Sequence, residues 1–155
     1  MTLLLSIDPG KAIGVSYGWY GETAPYRLDY ASVLSFDEMS HQIKRDKFVW
    51  PDELVVERFI PQSGGAFTLG EDDVAAVEVI GLIKHANTAS QVFWQTRADK
   101  GPAGMMDGVL KEHGLWKTGS DANWTDGRDV NDSIIHALVN LRNRGHLPTM
   151  RKYLR

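Results

Sequence analysis

The sequence predicts an α/β fold, a mixed β-sheet with helices on its faces, and three observations lead to it. Apolar runs near the N-terminus, rich in β-branched and aromatic residues, are divided by turn residues in the manner of strands. After residue 50, short apolar runs alternate with stretches of helical spacing. Gly, Pro or a capping residue marks most of the switches between them. Early hairpins followed by β-α alternation bring parallel and antiparallel pairs into one sheet.

The elements follow in order. Leu3 to Asp8 is an apolar run ended by Pro9-Gly10, which reads as a buried strand entering a turn. Ile13 to Trp19 and Tyr26 to Leu34 form a hairpin across the Gly21–Pro25 stretch. Ser35, with Glu38 three positions on, forms a capping box for a helix reaching about Phe48. Pro51-Asp52 precede a strand from Leu54 to about Phe59, and a loop with Gly64, Gly65 and Gly70 follows. Asp72 to His85 carries apolar residues at helical spacing, Gln91 to Thr96 is a short strand, and Pro102 to His113 is helical. Thr118 to Arg128 reads as a loop, and a last helix from Asp129 to about Asn143 is ended by Gly145 and Pro148.

The chain has 155 residues, a length that fits one compact domain spanning 1–155. It has no cysteine, which excludes thiolate metal sites and cysteine nucleophiles and fits a reducing compartment. Leu3 to Leu5 follow no basic stretch and are cut short by Asp8, so a cytoplasmic protein without a membrane segment is expected. Net charge is −3, but it is unevenly spread. From Arg142 on, the chain holds five cations and no acid, leaving 12 cations against 20 acids in the rest. This short basic C-terminal tail, about 142–155, either meets phosphates or is a solvated chain end.

Four carboxylates stand where strands end or helices begin. Asp8 closes the first strand and Glu57 lies near the end of the fourth; both interrupt apolar runs, at a cost that something must offset. Asp129 and Asp132, three apart on the last helix, project from one face, and His136 falls on roughly the same side. Each residue has an ordinary reading. Asp8-Pro9-Gly10 is a turn tripeptide, Glu57 can pair with a nearby cation, Asp129 can cap the helix, and His136 can be a surface residue. Taken together, carboxylates converging on one sheet edge repel one another unless a cation neutralises them. Oxygen ligands favour Mg²⁺ or Mn²⁺ over zinc, and the reaction class inferred is two-metal phosphodiester hydrolysis.

These same residues resemble the RuvC family of Holliday-junction resolvases, including phage-type members. Ser6-Ile7-Asp8-Pro9-Gly10 with Gly14-Val15-Ser16 looks like the family's opening motif, and Val55-Val56-Glu57 with the following Gly/Ser loop looks like its second acidic motif. Asp129-Val130-Asn131-Asp132-Ser133 resembles its closing Asp-x-x-Asp helix. Order and spacing match over about residues 3 to 143. The resemblance implies a ribonuclease H-like five-stranded mixed sheet with an antiparallel second strand. It also implies a homodimer that nicks four-way junctions symmetrically in DNA recombination and repair.

By the same resemblance, Asp8 is the central ligand shared by two Mg²⁺ ions per site, with Mn²⁺ able to substitute. Glu57 holds one ion, and Asp129 and Asp132 complete the other side. His136 is a supporting residue or a possible ligand. Lys100 and Arg97 lie where the family places basic residues near the phosphate, and Phe59 is a candidate for stacking on a base, with core packing as its alternative. For the dimer interface, the helix from Asp72 to His85 offers Ala76, Val79, Ile80 and Ile83, a face equally suited to packing on the sheet.

Two other functions use the same acids. A broader flap, single-strand or structured-RNA nuclease shares the sheet-edge chemistry. A non-catalytic branched-DNA-binding protein would retain the fold, although decay should show as loss of an acid and all four are present. An actin-like or sugar-kinase ATPase is excluded by length and by the lack of a Walker-type loop.

Overall fold

The computed structural model describes residues 1–58, 70–102, 104–118 and 128–154. One five-stranded sheet organises them, in the order β3-β2-β1-β4-β5. The strands are β1 (Thr2–Asp8), β2 (Ile13–Tyr20), β3 (Arg27–Leu34), β4 (Glu53–Glu57) and β5 (Gln91–Gln95). β2 runs antiparallel to both β1 and β3, whereas β1, β4 and β5 run parallel. This is the expected mixed sheet with an antiparallel second strand.

Period-2 alternation sorts the strand residues onto two faces. Leu5, Ile7, Val15, Leu54 and Val56 turn to one side, where α1 (Phe36–Lys44) and α2 (Glu71–Ala86) cover them with Met39, Val79 and Ile83. Leu4, Tyr20 and Val55 turn to the other, under α4 (Arg128–Asn143) and α5 (Leu147–Tyr153). α3 (Asp107–Glu112) adds Leu110 to that second core. α4 carries the central packing load, with Ile134, Ala137, Leu138 and Leu141 fully buried.

Local chemistry explains most element ends, and three differ from expectation. The Ser35–Glu38 capping box is present in both directions, with hydrogen bonds of 3.2 and 2.7 Å. α1 stops at Lys44 rather than Phe48, because Asp46 adopts a left-handed φ of 51° and turns the chain. Phe48 instead packs on Trp50 and enters the core. Of the helix expected over Pro102–His113, Asp107–Glu112 is the helical part among the described residues.

The third difference is at the C-terminus, where the expected basic tail is structured. Pro148 does not end a helix; it stands in the first turn of α5, where its missing N–H costs nothing. Tyr153 donates to the Tyr26 carbonyl at 2.8 Å, and the Tyr26 N–H donates to Thr149 at 2.9 Å. Arg144 forms a bidentate pair with Glu53 at 2.6 and 3.0 Å, and Arg142 donates to the Asp99 carbonyl at 3.3 Å. These two cations brace the fold, and Arg151 and Lys152 remain exposed on α5.

The α2 face put forward for a dimer interface is largely core: Ala76, Val79 and Ile83 are buried, and Ile80 partly so. Val74 and Val77 are its exposed apolar residues. No helix among the described residues is long and apolar enough to cross a membrane.

The approach of α4 to the sheet depends on Gly14. This residue pairs with Asp8 across β1 and β2, and a Cβ there would collide with the backbone carbonyl of Asp129. Only glycine lets the first turn of α4 lie against the strand end that carries Asp8. Gly14→Ala is therefore expected to destabilise the fold by at least about 2 kcal/mol, the cost of overpacking a site that backbone walls in on one side. Urea unfolding monitored by tryptophan fluorescence checks this; an unchanged midpoint would contradict the tight approach.

Candidate active site

The register of the parallel strands assembles the site. Ile7 pairs with Val56, so Asp8 and Glu57 leave the carboxyl ends of neighbouring strands side by side, and Glu57 pairs with Gln95 on β5. Carboxyl ends of parallel strands are where open α/β sheets bind their ligands. α4 crosses above this edge and brings Asp129, Asp132 and His136 down onto it. Asp8, Glu57, Asp129 and Asp132 line one cleft of about 900 Å³, with Lys100 and Arg128 on its walls.

The two strand-end acids, Asp8 and Glu57, are buried, and their ionisation shows it. Asp8, 9% exposed, has its pKa raised well above the ordinary 3.8, first by burial and then by the negative charges of Glu57, Asp132 and Asp129; Lys100 opposes the rise. Glu57 behaves in the opposite way. Burial pushes its pKa up, but the His136 hydrogen bond and the Lys100 charge outweigh burial and hold it at about 2. Two carboxylates on adjacent strands thus have opposite tendencies because only one of them has close partners of opposite charge.

Those partners are specific. Lys100, in the short 3₁₀ helix Arg97–Lys100, places its ammonium 3.0 Å from Glu57 Oε2 and 3.1 Å from Asp132 Oδ2. Its own pKa is lowered by burial but raised by Asp8, Glu57 and Asp132, and the carboxylates win. Arg128 clamps Asp107 with two bonds of 3.0 and 3.1 Å and sets its other nitrogen 3.0 Å from Asp132 Oδ1. That last contact attracts by charge without the alignment of a hydrogen bond, so Asp132 Oδ1 is buried and lacks a hydrogen-bond donor. Arg97 is largely solvent-exposed, with its Nε 3.5 Å from Glu57 Oε1.

His136 is fully buried, and Gln95 determines how it presents itself. The Gln95 oxygen accepts from the Asn140 N–H at 3.0 Å, which turns its NH₂ toward the His136 carbonyl at 3.2 Å and His136 Nδ1 at 2.8 Å. Nδ1 is then an acceptor and the ring proton sits on Nε2, which donates to Glu57 Oε2 at 2.6 Å. Asp8, Glu57 and His136 do place ligand-type atoms within 4.8 Å of one another. With Nε2 carrying the proton, however, the imidazole holds Glu57 in place, and the acids' oxygens rather than the ring nitrogens are the ligand-type atoms.

The structure therefore brings Asp8, Glu57, Asp129, Asp132 and His136 together, and adds Lys100 from the side. Lys100 turns inward to the acids, and Arg97 is the cation that faces solvent. Phe59 lies outside the described residues. Sequence reading assigned no role to Gln95, Arg128 or Asp107, whose functions depend on partners far along the chain. Asn131 is a fourth such residue: its side chain exchanges two 2.9 Å bonds with the Lys117 backbone and anchors the first turns of α4.

An edge of carboxylate oxygens, one of them (Asp8) raised in pKa by burial and by its neighbours' charge and another (Asp132 Oδ1) without a hydrogen-bond donor, suits a hard divalent cation. The sheet order and the helix across it are those of the ribonuclease H-like fold. The chain shares this fold with the fowlpox virus Holliday junction resolvase in complex with its substrate junction DNA, at 15% identity and a TM-score of 0.57 over 90% of this chain and 99% of that one. It also shares it with the yeast mitochondrial Holliday junction resolvase Ydc2 (13%, 0.55, over 97% and 83%) and with Thermus thermophilus RuvC in complex with a Holliday junction substrate (12%, 0.53, over 93% and 97%). No protein-family model matches the sequence, and no curated protein matches it significantly.

The opposed ionisation of the two strand-end acids has a consequence for the metal-free protein. The folded-state pKa of Asp8 lies above its unfolded value, so stability falls as pH rises from about 3.8 through the folded value. Glu57 has the reverse sign: its contribution is present above about 4.5 and is lost as pH falls toward 2. Asp8→Asn removes the unfavourable member at nearly constant shape. Thermal unfolding at pH 7 without metal is expected to shift upward by at least about 3 °C; a lower midpoint would mean that the Asp8 charge is compensated.

Proposed function

We propose that this chain is a metal-dependent, structure-specific DNA endonuclease that resolves four-way junctions. The observation that carries the reading is the convergence of Asp8, Glu57, Asp129 and Asp132 on one cleft at the carboxyl edge of a fold shared with three resolvases. The donor set suits two Mg²⁺ or Mn²⁺ ions, which Asp8, Glu57, Asp129 and Asp132 would hold. Bound ions would supply Lewis-acid polarisation of the scissile phosphate and a lowered pKa for an attacking water.

The chain's own residues contribute orientation and charge. His136 fixes the rotamer of Glu57 through its 2.6 Å hydrogen bond, and Gln95 fixes His136 from behind. Asp107 and Arg128 hold Asp132 from the opposite wall. Arg97, exposed at the mouth, is the cation best placed to meet a phosphodiester first, and Lys100 is positioned to follow deeper in the cleft. A homodimer would set two such sites on one branched substrate and make paired nicks. In this reading the chain is one nuclease domain working in DNA recombination and repair.

The test is cleavage of labelled four-way junction, flap, duplex and single-stranded DNA by the wild type and Asp8→Asn, with and without Mg²⁺. Paired, metal-dependent nicks in the junction are expected, with a rate loss of at least about 100-fold in the variant, or roughly 3 kcal/mol of transition-state stabilisation. Metal-dependent cutting spread over flaps and single strands would replace junction resolution with a broader nuclease of the same site. Tight junction binding with no cutting in either metal would replace catalysis with a DNA-binding role.

A further inference from the structure

Lys100 is the cation that sits among the acids, whereas Arg97 and Arg128 sit beside them. Only 12% of its side chain is exposed, and its ammonium bridges two different carboxylates, Glu57 at 3.0 Å and Asp132 at 3.1 Å. The oxygen it holds on Glu57 already accepts from His136, so both lone-pair directions of Glu57 Oε2 are taken. On Asp132, Lys100 occupies Oδ2 while Arg128 faces Oδ1. The position between these two acids is thus filled by a group of the chain itself. An ammonium offers three donors and one positive charge, enough to quiet the repulsion between two buried carboxylates, although with half the charge of a divalent ion.

We infer that Lys100 is a built-in competitor for the divalent cation. The inference rests on the metal-dependent reading above and adds a control to it. In the free protein the ammonium occupies the oxygens of Glu57 and Asp132 that a metal would need. A divalent ion entering within about 4 Å of that ammonium is strongly repelled at protein-like dielectric, so loading requires Lys100 to move. Its flexible four-carbon stem allows the head group to swing out into the cleft, where a phosphodiester oxygen is a partner of the right charge. The same lysine then serves as counter-ion in the resting protein and as phosphate contact in the loaded one.

The experiment is calorimetric titration of Mn²⁺ alone into the full chain: wild type, Lys100→Met, Lys100→Arg and Asp8→Asn. Lys100→Met is expected to bind Mn²⁺ at least about tenfold more tightly than the wild type. Without metal it should melt below the wild type, and Mn²⁺ should raise its midpoint by more than it raises that of the wild type. Lys100→Arg, which keeps the charge and guards against loss of fold, should bind no more tightly than the wild type.

Equal or weaker Mn²⁺ binding by a folded Lys100→Met protein, with binding still abolished in Asp8→Asn, would overturn the competitor and leave the metal site standing. Absence of Mn²⁺ binding at millimolar concentration in both wild type and Lys100→Met would overturn the metal reading, and the competitor with it.

Discussion

Four carboxylates gathered at the carboxyl edge of β1 and β4 repel one another in a poorly solvated cleft, and the architecture at this end of the molecule is arranged around that repulsion. Asp8 and Glu57 cannot be moved apart, because the parallel register that buries Ile7 and Val56 also places the two acids side by side. Asp129 and Asp132 cannot retreat, because Ile134, Leu138 and Leu141 tie their helix to the same sheet. The repulsion is met instead by partners: Lys100 between two acids, Arg128 on Asp132, and His136 on Glu57. Burial and the charges of the other acids raise the Asp8 pKa, and Lys100 opposes the rise only in part. Free energy held back in this way at one point is a common cost of a functional site, repaid when the missing charge arrives.

Packing and polar chemistry use the same helix for different purposes. The apolar stripe of α4 supplies much of one core. Its polar positions carry Asp129 and Asp132 in the first turns and His136 midway along, and Arg144, paired with Glu53, stands just beyond its other end. A helix fastened at both ends keeps its first turn in register with the strand ends. Gly14 completes the arrangement from the sheet side, since only a residue without Cβ admits the Asp129 backbone there. Rigidity at this point is what lets two strands and one helix hold four carboxylates within one cleft.

Much of the fold was legible in the sequence because it rests on local signals. Short apolar runs bounded by turn residues marked the five strands, the Ser35–Glu38 box marked α1, and apolar spacing marked α2 and α4. The acids were legible as charges placed in runs where burial makes charge costly. What escaped was non-local or depended on side-chain direction. Gln95 meets His136 across 41 residues and His136 meets Glu57 across 79, and no pattern in the chain announces either pairing. Lys100 was expected at a phosphate, and nothing in its own segment reveals that its head group is drawn inward onto Glu57 and Asp132. α5 was hidden by Pro148, a residue that ends one helix as readily as it begins another, so that a structured C-terminal segment read as a loose basic tail.

The account turns on one claim, that this carboxylate edge binds divalent metal through Asp8 and Glu57. Anomalous diffraction from crystals soaked in millimolar Mn²⁺ tests it most directly. The account predicts anomalous density within bonding reach of both the Asp8 and Glu57 carboxylates, with the Lys100 ammonium displaced toward the cleft mouth. A map with no density at that edge, and with Lys100 still bridging Glu57 and Asp132, would contradict it.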